Sequence, residues 1–203
     1  MRIKGILAAA LTVAAAVSLS SCNSRARLAK EIEGVWAGNP ERIADRDAAY
    51  STMIKTFEFQ VDDSGAGGTV IITALIDVQN SVPQSAQTVQ PIEVSAAATA
   101  SVTGSWKAVD DDDVIISLDP ATTQVNVDPD AVTLNYDVLD GDSAPDVTPL
   151  KSAAAAVVGR QVNDAVTANI LNISKIDDIK VHDNVTMECE INDRDLTLRR
   201  QPM

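Results

Sequence analysis

Few residues in this 203-residue chain could do chemistry. It has two cysteines, Cys22 and Cys189, and one histidine, His182. That excludes a multi-disulfide framework and a zinc site of several Cys and His ligands. Carboxylates are abundant: the 43 residues between Lys107 and Lys151 hold eleven Asp and no Lys, Arg, His or Glu. A hard cation such as Ca²⁺ takes several oxygen ligands from a flexible loop, and Asp137, Asp140 and Asp142 are the best-spaced candidates. No Asp-x-Asp-x-Asp-Gly loop is present, however, and Asp-rich turns in an acidic chain are ordinarily solvated. No metal is therefore expected. Gly65-Ala66-Gly67-Gly68 lacks the lysine, the following helix and the spacing of a phosphate loop, and reads as a hairpin connection. Cys189 shares its strand parity with Met187 and Ile191, which suits a packed thiol. His182 lies beside a turn at Asp183-Asn184, so a thiol–imidazole nucleophile is not expected. Carboxylate pairs could serve glycan hydrolysis, but spacing alone identifies no converging pair. The reading is non-catalytic, with no cofactor.

Composition narrows the class further. Apolar residues make up 45% and charged residues 22%, an ordinary globular balance. Aromatics are only 3%, so the core must be built from Val, Ile, Leu and Ala. The net charge is −13. A chain so acidic lacks the phosphate-neutralising patch that nucleic-acid binding needs.

The first 22 residues carry an address. Arg2 and Lys4 precede 13 small or apolar residues, 5–17, a length that suits an export-signal core and is too short to span a bilayer. Leu19-Ser20-Ser21-Cys22 follows. Leu19 would sit at −3 of a cut before Cys22, which suits an ordinary signal peptidase badly. The segment resembles a bacterial lipoprotein signal: an aliphatic residue, two small ones, then the cysteine to be modified. The resemblance implies a thioether-linked diacylglyceryl group on Cys22 and a further acyl chain, such as palmitate, on its new amino group. Two or more chains make a stable membrane anchor, at roughly 0.8 kcal/mol per buried CH₂. Residues 1–21 would then be signal peptide, and losing Arg2 and Lys4 would lower the net charge from −13 to −15. Asn23, rather than Asp, favours the outer membrane. The lack of an acidic cluster close behind favours a periplasm-facing position.

Residues 22–33 read as a lipidated tether and short helix, with Leu28 and Ile32 on one helical face. Gly34-Val35-Trp36 opens a first strand. Residues 41–52 are ambiguous, with a helical turn around 43–50 as one reading. Residues 56–61 alternate, with Phe57, Phe59 and Val61 on one face, and form a hairpin with the β-rich run 69–78. Residues 92–108 form a long strand in which Ile92, Val94, Ala96, Ala98, Ala100, Val102 and Trp106 share one parity. The alanines suggest a tight passage or a bend. Short strands at 114–118, 123–127 and 131–138 are divided by Asp-Pro turns. Thr148-Pro149 resembles a helix start, and residues 150–173 keep helical spacing. Two strands end the chain, at 185–191 and from Leu196.

This order predicts a mainly β domain over 34–203: an antiparallel β-barrel or strongly curved sheet, with one long helix before the last two strands. Gly34-Val35-Trp36, Gly104-Ser105-Trp106 and the basic terminal strand Leu196-Thr197-Leu198-Arg199-Arg200 resemble a lipocalin-like domain. Lipocalins carry Gly-x-Trp on the first strand, with the Trp plugging the closed end and an Arg of the last strand over its indole. The resemblance therefore implies that Trp36 and Arg200 pack together at the barrel end; a tryptophan in an ordinary sheet core is the other reading of Trp36. The implied function is a membrane-anchored envelope lipoprotein holding a small apolar or amphipathic ligand. The alternative is a structural module that docks on an envelope protein partner.

Overall fold

The structure, a computed structural model, describes residues 24–46, 49–82, 92–135 and 148–202. Helix α1 spans 24–32 and leads into β1 (Gly34–Ala37), β2 (Glu41–Arg46), β3 (Ala49–Val61), β4 (Gly67–Val82) and β5 (Ile92–Ala108). Then come β6 (Val114–Leu118), β7 (Gln124–Val127), β8 (Thr133–Asn135), α2 (Thr148–Asn169), β9 (Lys175–His182), β10 (Thr186–Glu190) and β11 (Asp195–Arg200).

Eight antiparallel strands close a barrel in the order β1-β11-β10-β9-β6-β5-β4-β3, with β3 pairing back onto β1. Three of them outgrow the ring. β3, β4 and β5 continue past it, and β2 pairs with the extended part of β3 while β7 and β8 pair with that of β5. The closed barrel thus opens at one end into a curved half-sheet, and α2 packs against β5 and β7 there. The long strands alternate as their sequences demand. Phe57, Phe59, Ile72, Ile76, Val94, Ala98 and Val102 are all buried, while Thr73, Leu75, Asp77 and Thr99 face out. The inward alanines of β5 let α2 lie close, and a Cβ at Gly159 would stand 3.9 Å from Val127 Cγ2.

Two expectations need correction. Three strands follow the long helix, not two, because residues 175–182 form β9. Its apolar parity breaks between Ile176 and Ile179, where Asp178 adopts φ 53° and the register with β10 shifts between Glu188 and Glu190. A bulge of this kind adds one residue and hides the alternation. Residues 41–46 are likewise strand, not helical turn: β2 pairs with β3 through another register shift between Arg42 and Ala44. α2 ends at Asn169, and its apolar spacing runs on into a turn that buries Ile170 and Ile173.

Candidate functional site

The closed end of the barrel is built around Trp36 and Arg200. They stand directly opposite each other on β1 and β11, so their side chains share the inner face. The Arg200 guanidinium carbon lies 4.2 Å from the centroid of the Trp36 ring. Both side chains also serve α1, whose last carbonyls have no partner within the helix. Trp36 Nε1 donates to the Ile32 carbonyl at 2.7 Å. Arg200 Nη2 donates to the Glu31 carbonyl at 2.8 Å, Nη1 to the Glu33 carbonyl, and Nε to the Asn184 carbonyl at 2.8 Å. One guanidinium therefore ties α1, the β9–β10 turn and the indole together. Gly34 makes room for it. Its φ is +114°, and a Cβ there would sit 2.7 Å from Arg200 Nη1. Leu28, Ala29 and Ile32 of α1 are fully buried and complete the floor.

Above the floor the barrel is occupied by its own side chains. Trp36, Phe57, Phe59, Ile72, Ile176 and Met187 are all less than 2% exposed. Trp106 stands edge-on to Phe59 at 5.5 Å and donates to the Thr69 carbonyl at 3.1 Å. Space for a ligand lies instead in the half-open part, along α2. A cavity of about 320 Å³ is lined by Ile43, Ile76, Val78, Gln161, Val162 and Ala165. An apolar one of about 210 Å³ follows toward the start of the helix, among Ile92, Val94, Leu134, Leu150 and Val157. A third, polar and about 170 Å³, lies at the other end, where Glu41, Lys55, Asn192 and Arg194 meet. A larger depression of about 560 Å³ is lined by Thr56, Thr73, Leu75 and Thr99. These side chains lie on the outer face of the sheet, so the cleft between α2 and the sheet is the better candidate.

The polar end was not singled out from sequence, although a signal was there. Lys55 shares the parity of Phe57, Phe59 and Val61, and a lysine on an apolar face invites a question. It is 7% exposed, and its Nζ stands 3.1 Å from each carboxylate oxygen of Glu41.

The other candidates fall apart in space or into turns. Cys22 and the Asp137, Asp140 and Asp142 set lie outside the described residues. Asp119 and Asp128 cap short 3₁₀ turns, accepting from Ala121 N and Asp130 N at 2.9 Å. Asp110–Asp113 form the β5–β6 turn, which leans on β9 through Lys175–Asp113 at 3.0 Å and Ile179 N to the Asp112 carbonyl at 2.9 Å. Partial desolvation and the surrounding aspartates hold the Asp112 carboxyl above its usual range. Among the described residues no group of three or more His, Cys, Asp or Glu is placed to hold a metal ion. The Gly65–Gly68 segment lies at the β3–β4 turn.

His182 is exposed and faces Glu188 at 3.3 Å, whereas Cys189 points inward at 5% exposure. They lie on opposite faces and form no nucleophilic pair. Burial pushes the Cys189 thiol up to about 12, so almost no thiolate exists at neutral pH. Native protein is expected to resist iodoacetamide at Cys189 for hours at pH 8 and to react within minutes in denaturant. Intact-mass measurement checks this; rapid native labelling would show that the strand opens easily.

Compared with protein-family models, with curated proteins and with solved structures, the chain matches none.

Proposed function

We propose that this protein is a non-catalytic lipoprotein of the bacterial envelope. It is anchored through acyl chains on Cys22, with outer membrane and periplasm the favoured address, and its lipocalin-like barrel holds a small apolar ligand. The observation that carries the ligand reading is the cleft between α2 and the half-open sheet. Its walls are mostly aliphatic, its volume of about 320 Å³ falls within the range of small-molecule sites, and a further apolar cavity adjoins the same helix. The filled barrel below would act as a rigid base rather than as the container. The Trp36–Arg200 contact supports the lipocalin likeness, because the two residues occupy the positions that the resemblance implies.

Two measurements test the two halves separately. Cells fed radioactive palmitate should label the wild-type protein and not Cys22→Ala; equal labelling would remove the anchor. Gently extracted protein should take up the apolar dye N-phenyl-1-naphthylamine. Ala165→Phe, which fills the cleft wall, should weaken uptake at least ten-fold while the melting temperature holds. Unchanged uptake would remove the cleft from consideration. The rival reading is a structural module that docks on a basic envelope partner, supported by the clustered charge of Asp110–Asp113 beside Asp177 and Asp178. It would be favoured by a salt-sensitive crosslinked partner in the absence of dye uptake.

A further inference from the structure

The polar cavity exists because the barrel wall parts there. β1 pairs with β11 as far as Ala37 opposite Arg199, but β2, which begins at Glu41, pairs with β3 alone. The gap is bordered by Glu41 and Lys55 on one side, Asn192, Arg194 and Leu196 on the other, and Ala168 and Asn169 of α2 above. Lys55 is inward-facing among Met53 and Phe57, and desolvating an ammonium there is costly unless its charge is used. Glu41 neutralises it. Arg194 has no ion pair or side-chain hydrogen bond among the described residues. Asp193 and Asp195 flank it in sequence, but neither lines the cavity. The cavity thus holds two cations and one anion, a local excess of positive charge in a chain of net −13. The C-terminal end of α2 opposes an anion with its negative partial charge, which the side-chain amides of Asn169 and Asn172 offset only in part by donating to the Ala165 and Ala168 carbonyls at 2.8 and 3.2 Å.

This cavity and the aliphatic one beside it share Ala168 and Asn169. From Asn169 back to Gln161 the helix covers roughly 12 Å, at 1.5 Å per residue. A positive pocket thus adjoins a cavity about as long as a medium alkyl chain, whose walls are aliphatic at Ile43, Ile76, Val78, Val162 and Ala165 and polar at Ser51, Gln161 and Asp164. We infer that the cleft takes an amphiphile with a single oxyanion head, the head held by Arg194 and Lys55 at the gap between β2 and β11, and the tail lying under α2 against Ile76, Val78 and Val162. A guanidinium offers an oxyanion a two-pronged grip, and the lysine has a third N–H beyond those facing Glu41. The assignment rests on the cleft being the ligand site.

The test uses the full-length protein reconstituted in nanodiscs, titrated with radiolabelled decanoate, decyl phosphate, decanol and decylamine, with empty nanodiscs subtracted. Decanoate or decyl phosphate should bind at least ten-fold tighter than decanol, and decylamine most weakly. Which of the two acids binds tighter identifies the head as carboxylate or phosphate. Arg194→Gln, at an exposed turn position, should bring the acid down to the level of decanol and leave decanol unchanged. Lys55→Met should act in the same direction. Equal binding of acid and alcohol, or an acid preference that survives Arg194→Gln, overturns the head-group assignment while leaving the cleft in place. No binding of any of the four overturns the cleft reading, and the assignment with it.

Discussion

Arg200→Ala is expected to destabilise the protein by about 3 kcal/mol, because it strips several partners at once. Hydrogen bonds from charged donors contribute about 1.5–3 kcal/mol each, and less than their sum when they share one group. Here the guanidinium serves three backbone carbonyls and covers the Trp36 ring. In a domain of this size each kcal/mol moves the melting temperature by roughly 2–4 °C, so a fall of about 6–12 °C should be seen. Trp36→Ala should cost as much or more, about 3–5 kcal/mol, since it also empties a fully buried site. Arg199→Ala is the control. Its side chain faces outward one residue away, and surface changes usually stay within about 0.5 kcal/mol. Arg200→Lys keeps the charge but loses the planar fork, so it should recover less than half of the loss. Hydrogen exchange sharpens the expectation. Without Arg200 the amides of α1 should lose protection before those of β3 and β4, because the helix loses the caps of its final turn. Equal melting temperatures for Arg199→Ala and Arg200→Ala would mean that the floor is held by apolar packing alone.

The same pair shows what the sequence can and cannot convey. That an arginine of the last strand should lie over Trp36 was implied by a family resemblance, and strand parity served only to choose Arg200 over Arg199. Alternation likewise marked β5, where Ile92, Val94, Ala96, Ala98, Ala100, Val102 and Trp106 all face inward or partly inward. It failed wherever a bulge inserted a residue. The irregularity at Asp178 in β9 moved the apolar set to the other parity, the pairing of β2 with β3 shifts register between Arg42 and Ala44, and a broken period of two resembles a helical turn or a loop. The cleft was illegible for a different reason. Its walls come from β2, β4 and α2, so it depends on how far three strands outgrow the ring, and that length is set by pairing partners distant in sequence. Lys55 was the one legible clue, a charge on an apolar face, and its meaning required knowing that Glu41 stands beside it.

The second large effect should come from that pair, and its asymmetry is the informative part. Glu41→Gln removes the countercharge from an ammonium whose side chain is 9% exposed, leaving it with little access to water. Breaking a buried pair from one side costs about 3–5 kcal/mol when the remaining charge is fully enclosed. The gap between β2 and β11 admits some solvent, so about 2–3 kcal/mol is expected here. Lys55→Met leaves the opposite orphan, a carboxylate whose side chain is 22% exposed and can hydrate through the gap. The methionine also fills the space with apolar atoms beside Met53 and Phe57. That variant should lose less than about 1 kcal/mol, since cores tolerate replacements that conserve volume. The double variant Glu41→Gln with Lys55→Met should therefore be more stable than Glu41→Gln alone, because the second change removes the stranded charge. Urea unfolding of the four proteins gives the coupling directly, and 0.5 M NaCl should change it little, since a pair this enclosed is poorly screened. If the two single variants lost equal stability and the double lost their sum, the pair would be behaving as an ordinary surface contact. Lys55 would then not be a desolvated charge at all.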